Sequence, residues 1–357
     1  MMRKFIVITL VISTALLGAI LFEGYKKLDL SLIKDNRPAT STRLSFDDFI
    51  NTKVEKMSLD EQRGQMFMIS IPGTTLSDQT IEYLKDNHIG GVILLNHNIQ
   101  SPEQVRNLTN DLKEKVNPYL LIAIDQEGGN VVRINWDKYA PLSARTLGSN
   151  YTQEQIYDIE FYRATLLKDL GINVLLGPVA DIADRTSFMY NRSYSSDPTK
   201  TADIIQTIIS AHQEAGILSV PKHFPGHGRT SVDSHVEFPV IPLTKQELRN
   251  HELKPFQAAI DTGVDFIMIS HIINPLIDPQ KPASQSQEYL KILEQDMGFD
   301  GIVITDDLRM TGQIKGGINW GINLTIEPEE QIGQRLNSIT PEEQYISKLL
   351  ALKYQKL

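Results

Sequence analysis

Cysteine is absent from this chain of 357 residues. That excludes disulfides, thiolate metal sites, a cysteine nucleophile and a lipidated cysteine near the N-terminus. Basic excess is missing as well: 35 Lys and Arg stand against 44 Asp and Glu, for a net charge of −9. With no basic stripe to offset it, this balance argues against a nucleic-acid-binding surface. The N-terminus does carry a long apolar run. Arg3 and Lys4 precede an uncharged, largely apolar stretch from Phe5 to Phe22, and Glu23 ends it. Such a run is an export signal or a single membrane anchor. No small-x-small cleavage site stands out, although Ala15 and Ala19 are candidates, which favours a retained anchor. The expected layout is a signal or anchor over 1–24, a polar linker over 25–45, and one folded domain over 46–357. That domain is then expected outside the cytoplasm, membrane-anchored or secreted.

At 41% hydrophobic residues the chain can bury a large core. Apolar runs predict strands at Met66–Ser70, Gly91–Leu95, Leu120–Ile124, Val174–Val179, 216–220, Phe266–Ser270 and Gly301–Thr305. Capped helical segments separate them: Ser58-Leu59-Asp60-Glu61 is a capping box, Ser101-Pro102 opens a helix, and helix 153–170 stops at Gly171. Thr244 caps a helix that Gly263 is expected to close. Strands alternating with helices through one continuous stretch predict parallel βα units, and seven such units predict an α/β fold of the TIM (β/α)8 barrel type. Ile322–Ile326 is a candidate eighth strand, but the chain turns polar directly after it. A shortened or missing eighth βα unit is therefore expected.

Polar residues follow the strands: Asp125, Asp181, Lys222 with His223, His271 and Asp306. The stretch Lys222-His223-Phe224-Pro225-Gly226-His227-Gly228, continued by Asp233-Ser234-His235, places three of the eight histidines within thirteen residues. Proline and glycine exclude a regular helix there, so ionisable groups stand on a loop past a strand. Asp233 lies two residues before His235. A carboxylate beside an imidazole fixes its tautomer and supports its protonated form, which suits a general acid/base. Asp306, the first residue past its strand, is placed to attack an anomeric carbon, whereas Asp307 is the better candidate for capping a turn. Asp125 and Arg133, within Asp125-Gln126-Glu127-Gly128-Gly129-Asn130-Val131-Val132-Arg133, could grip sugar hydroxyls or form an internal ion pair. Arg192 is equally open. His223 and His227 stand four apart, but Pro225 and Gly226 intervene, no H-E-x-x-H glutamate is present, and Lys222 adds positive charge. A metal is not expected, and His227 is expected to fix the loop through hydrogen bonds.

With Gly177-Pro178-Val179-Ala180-Asp181, Pro282-Ala283-Ser284 and Asp306-Asp307-Leu308 added, the chain resembles family 3 glycoside hydrolases, specifically the NagZ-type bacterial β-N-acetylglucosaminidases, from about Ser58 to Thr311. The resemblance implies a TIM-barrel catalytic domain and a retaining exo-β-N-acetylglucosaminidase acting on peptidoglycan fragments. It further implies Asp306 as nucleophile and His235, paired with Asp233, as acid/base. Asp125, Arg133, Arg192, Lys222 and His223 would bind the sugar, and no metal or organic cofactor is implied. Three other readings stay open: a phosphorylase with phosphate in place of water, a non-catalytic glycan-binding relative with an incomplete barrel, and a metal-dependent barrel hydrolase.

Overall fold

The computed structural model describes residues 45–231, 237–310, 317–326 and 329–357. The N-terminal apolar run, the linker up to 44, and Asp233 and His235 lie outside the described residues. Phe46–Leu357 is one compact unit. Among the described residues no helix is long and apolar enough to cross a membrane.

Eight strands form: β1 (Phe67–Ser70), β2 (Gly91–Leu94), β3 (Leu121–Ile124), β4 (Val174–Leu175), β5 (Leu218–Ser219), β6 (Phe266–Ile269), β7 (Ile302–Thr305) and β8 (Asn323–Thr325). β5-β4-β3-β2-β1-β8 run parallel in one sheet, and β6 pairs with β7. Two joints complete the circle. Past β5, the Phe224 N–H donates to Met268 O at 2.8 Å, and beside β7 the Ile322 N–H donates to Val303 O at 2.8 Å. The barrel is therefore closed. β8 is short but present, and a helix (Glu329–Leu336) follows it, so of the two expectations for the last unit it is shortened and not missing.

The strands are buried on both faces, as parallel strands between a packed interior and an outer helical layer must be. Met68, Ile93, Leu121, Val174, Leu218, Phe266, Ile302 and Leu324, one from each strand, meet in a single cluster inside the barrel. Neighbours of opposite facing, such as Phe67, Ile69, Val92 and Ile122, pack against Leu84, Val105, Leu108 and Leu167 of the helices. Side chains of Ser58, Ser77, Ser101, Thr152, Asp197 and Thr244 each accept a backbone N–H at a helix start. The helix expected to run from Thr244 to Gly263 is instead two, Lys245–Asn250 and Lys254–Asp261. Pro255 falls in the first turn of the second, where a missing N–H costs nothing.

The end of the barrel opposite the strand C-termini holds a fully buried lysine. Lys353 Nζ donates to Gln65 Oε1 and Gly90 O, each at 2.8 Å. These two acceptors match the two N–H bonds of a neutral amine, and burial pushes the group down from 10.5 to about 7. Between pH 7 and 10.5 the unfolded chain carries a proton that the folded chain lacks. Stability should therefore rise with pH across that window, by about 1.4 kcal/mol per pH unit from this residue. The denaturant midpoint of wild type should rise relative to that of Lys353→Met as pH goes from 7 to 10. Parallel curves would remove Lys353 as the cause.

Candidate active site

The strand C-termini open into a cavity of about 170 Å³ lined by Asp125, Glu127, Arg133, Arg192, Lys222, His223, His227 and Asp306. Asp125, Glu127 and Arg133 come from the segment after β3, Arg192 from the one after β4, Lys222, His223 and His227 from the loop after β5, and Asp306 from the end of β7. Asp306 is the first residue past β7, and its backbone N–H is held by Ile269 O at 2.9 Å. Burial works against its charged form, but His223, His271 and Lys222 prevail and hold the carboxyl below the usual aspartate range. Asp306 Oδ1 also accepts the Asp307 N–H at 2.9 Å. His271 donates or accepts at Ser284 Oγ, 2.7 Å away, and burial lowers its ring against the pull of Asp306.

Across the cavity runs a chain of charges. Lys222 Nζ lies 2.7 Å from both Asp125 Oδ1 and Glu127 Oε1. Glu127 also accepts two hydrogen bonds from Arg192, at 2.8 and 2.9 Å. Burial alone would raise the Glu127 carboxyl; Arg192 and Lys222 instead hold it far below the usual range. The ammonium of Lys222 is desolvated, yet Asp125 and Glu127 raise it. Arg133 reaches Asp125 at 3.7 Å, and its Nε has no partner among the described residues. His223 Nδ1 stands 2.7 Å from Asp181 Oδ2 and its Nε2 3.4 Å from Arg192, which sets the ring's orientation. The result is a wall of fixed donors and acceptors facing one carboxylate, suited to a polyhydroxylated ring.

Local sequence explains the placement. Past β3, Asp125 and Glu127 point into the cavity, while Gln126 between them turns away. The Gln126 side chain accepts the backbone N–H groups of Arg133 and Ile134 at 2.8 and 2.9 Å, folding that arm back over β3. Gly128 has a φ of 86°, and a Cβ there would sit 2.2 Å from Leu142 O. Gly228 has no room either, because a Cβ would lie 1.8 Å from Ile182 O.

Six sequence-derived candidates thus converge: Asp125, Arg133, Arg192, Lys222, His223 and Asp306. His227 needs a correction. Its ring nitrogens are buried without a hydrogen-bond partner among the described residues, and burial pushes the ring down. It is the backbone N–H that fixes the loop, donating to Asp181 Oδ1 at 2.6 Å. Glu127 was not singled out for the site, although alternation from Asp125 puts it on the same face; Asp181 was placed after its strand but given no role there. Among the described residues no group of three or more His, Asp or Glu is arranged to hold a metal ion.

Residues 58–326 match the family model described as glycosyl hydrolase family 3 N terminal domain. A curated relative from Nitrosomonas eutropha, named beta-hexosaminidase, is 36% identical over 253 residues, covering 68% of this chain and 72% of the relative. One of the same name from Pseudomonas aeruginosa is 34% identical, covering 69% and 74%. Among solved structures, a family 3 beta-N-acetylglucosaminidase from Paenibacillus superposes with a TM-score of 0.78 at 30% identity, covering 84% of this chain. This chain spans only 63% of that protein's length. NagZ from Neisseria gonorrhoeae, in complex with N-trifluoroacetyl-D-glucosamine, superposes at 0.73 with 28% identity, covering 80% and 89%.

Proposed function

The chain belongs to glycosyl hydrolase family 3, and on that premise we propose that it is a retaining exo-β-N-acetylglucosaminidase releasing terminal N-acetylglucosamine from peptidoglycan fragments. The observation that carries this reading is the Asp306 carboxylate lining the same cavity as the Asp125–Lys222–Glu127–Arg192 chain. The names of the curated relatives and the N-acyl glucosamine bound by the Neisseria protein support the sugar class.

In this mechanism an Asp306 oxygen attacks C1 as the C1–O bond to the leaving group breaks. His235, supported by Asp233, gives its proton to the departing oxygen. The neutral imidazole then takes a proton from water, the resulting hydroxide attacks C1, and the Asp306 ester opens. Two inversions leave the configuration unchanged. Lys222, His223, Arg192, Arg133 and Asp125 hold the hydroxyls, and Lys222 stays cationic between its two carboxylates. His235 and Asp233 enter on their sequence position alone. The apolar run from Phe5 to Phe22 supports work outside the cytoplasm.

A 5-fluoro-N-acetylglucosaminyl fluoride trap tests this directly on the purified full-length protein. Mass spectrometry should find one sugar adduct, on the peptide carrying Asp306. An adduct elsewhere would reassign the nucleophile, and no adduct alongside measured turnover would remove the covalent step.

A further inference from the structure

We propose that Phe188 is a stacking platform for the second pyranose ring of the substrate, the one that departs when the bond is cleaved. This rests on the reading of the cavity as a site that cleaves between sugars. Few large apolar side chains stay exposed among the described residues, and of these Phe188, 41% exposed, lines the cavity. The others with comparable exposure, such as Phe46, Phe49 and Leu276, do not line it.

The cavity is chemically divided. Its charged wall, formed by Asp125, Glu127, Lys222 and Arg192, takes hydroxyls, while Phe188, Met189, Met310 and Ile326 give it an apolar side. A pyranose has the same division, with hydroxyls on its rim and C–H bonds across its face. An aromatic ring offers such a face a flat, weakly polar partner, already fixed in place.

The backbone that carries Phe188 is fixed in this sense. Its backbone N–H donates to Thr230 O at 3.2 Å, and Ser187 Oγ donates to the same oxygen at 3.2 Å. Ser187 Oγ in turn accepts the Met189 N–H at 3.0 Å. Thr186 closes the turn onto Asp184 Oδ1 through both its N–H and its hydroxyl, at 2.8 and 2.6 Å. The exposed ring therefore sits on an ordered turn, four residues before Arg192, whose guanidinium belongs to the charged wall. A single exposed apolar side chain needs no explanation on a general surface. One held rigidly at the mouth of a polar cavity, beside the group that grips the sugar, has a use.

The test reads binding without turnover, in full-length Asp306→Ala protein, by calorimetry. The probes are N-acetylglucosamine and the β-1,4-linked disaccharide of two N-acetylglucosamines. The disaccharide should bind about tenfold more tightly than the monosaccharide, an increment on the scale of one aromatic contact. Adding Phe188→Ala should abolish the increment and leave monosaccharide affinity unchanged, while Phe188→Trp should keep it. The proposal is overturned if the disaccharide has no advantage, if the advantage survives Phe188→Ala, or if both ligands weaken together. Failure of the hydrolase reading shows separately: wild type would leave the disaccharide intact while the Phe188-dependent increment remained.

Discussion

Asp306→Ala should lower kcat on an aryl β-N-acetylglucosaminide by at least about 10⁴-fold, the scale on which loss of a covalent nucleophile acts. No described neighbour replaces it. Asp307, next in the chain, points its carboxylate at backbone instead, accepting the N–H groups of Arg309 and Ile326 at 3.1 and 3.0 Å. Burial pushes Asp307 up from its ordinary value, so it is also the poorer anion. Asp306 is the opposite case: despite burial, His223, His271 and Lys222 keep it ionised. Its pKa is depressed, so the acid limb of kcat/KM should fall below the ordinary carboxylate range, with activity full above it and lost as pH drops through it. A small nucleophile such as azide should restore part of the rate of the alanine variant and give the α-glycosyl azide, because it enters the face the carboxylate vacated. A misfolded variant would not be rescued. A variant that turns over at wild-type rate, or azide product of β configuration, would remove Asp306 from the reaction.

The barrel was readable from sequence because its strands are buried on both faces and so stand out as short apolar runs. The ends of those runs were not. The fourth run was expected to reach Val179, but β4 stops at Leu175, and Gly177 N–H turns back to Leu175 O at 2.9 Å. Pro178 has no N–H to extend a ladder. The last strand, expected only as a candidate at Ile322–Ile326, was faint for a different reason. Of its three residues, Asn323 and Thr325 are polar yet buried. The Asn323 side chain is consumed by backbone: it accepts the Ile318 N–H at 2.6 Å and donates to Ile318 O and Met66 O. Thr305 of β7 likewise accepts the Leu324 N–H at 3.0 Å. A strand with two polar residues in three, one of them tied into the backbone, leaves little hydrophobic signature.

Site residues divide along the same line. Those that follow an apolar strand, such as Asp125, Lys222 and Asp306, declare themselves by position. Asp181 shows itself by position too, but its partner does not: Glu127 and Asp181 pair with Arg192 and His223, 65 and 42 residues away, and such pairings have no local pattern. The same holds for the buried charges behind the cavity.

Those charges carry the largest expected effect on stability. Arg163 is fully buried, with its Nη1 2.6 Å from Glu160 Oε1 and its Nε 3.1 Å from Asp137 Oδ2. His212 faces Glu160 at 3.3 Å and joins Ser219 Oγ at 2.8 Å. Burial disfavours the charged forms of Arg163 and Glu160, yet the Glu160 and Asp137 carboxylates raise Arg163, and Arg163 with His212 lowers Glu160. Arg163→Met keeps most of the volume and strands two buried carboxylates. It should destabilise the protein by about 3–5 kcal/mol near neutral pH, measured by denaturant unfolding. Adding Glu160→Gln and Asp137→Asn should recover most of the loss, since uncompensated charge rather than lost packing is the cause. The pH dependence follows in sign. In wild type the depressed Glu160 contributes stability that is full above the ordinary carboxylate range and is lost as pH falls below it toward the lowered value of the folded state. Without Arg163 that contribution is gone and protonation relieves the stranded carboxylates, so the gap between variant and wild type should narrow on acidification. The cavity should feel the change too. Asp137 Oδ2 also accepts from Gln126 Nε2 at 3.2 Å, and Gln126 holds the backbone of Arg133. A variant within about 1 kcal/mol of wild type, or a gap that widens in acid, would mean that water already reaches these charges and that the network holds nothing in place.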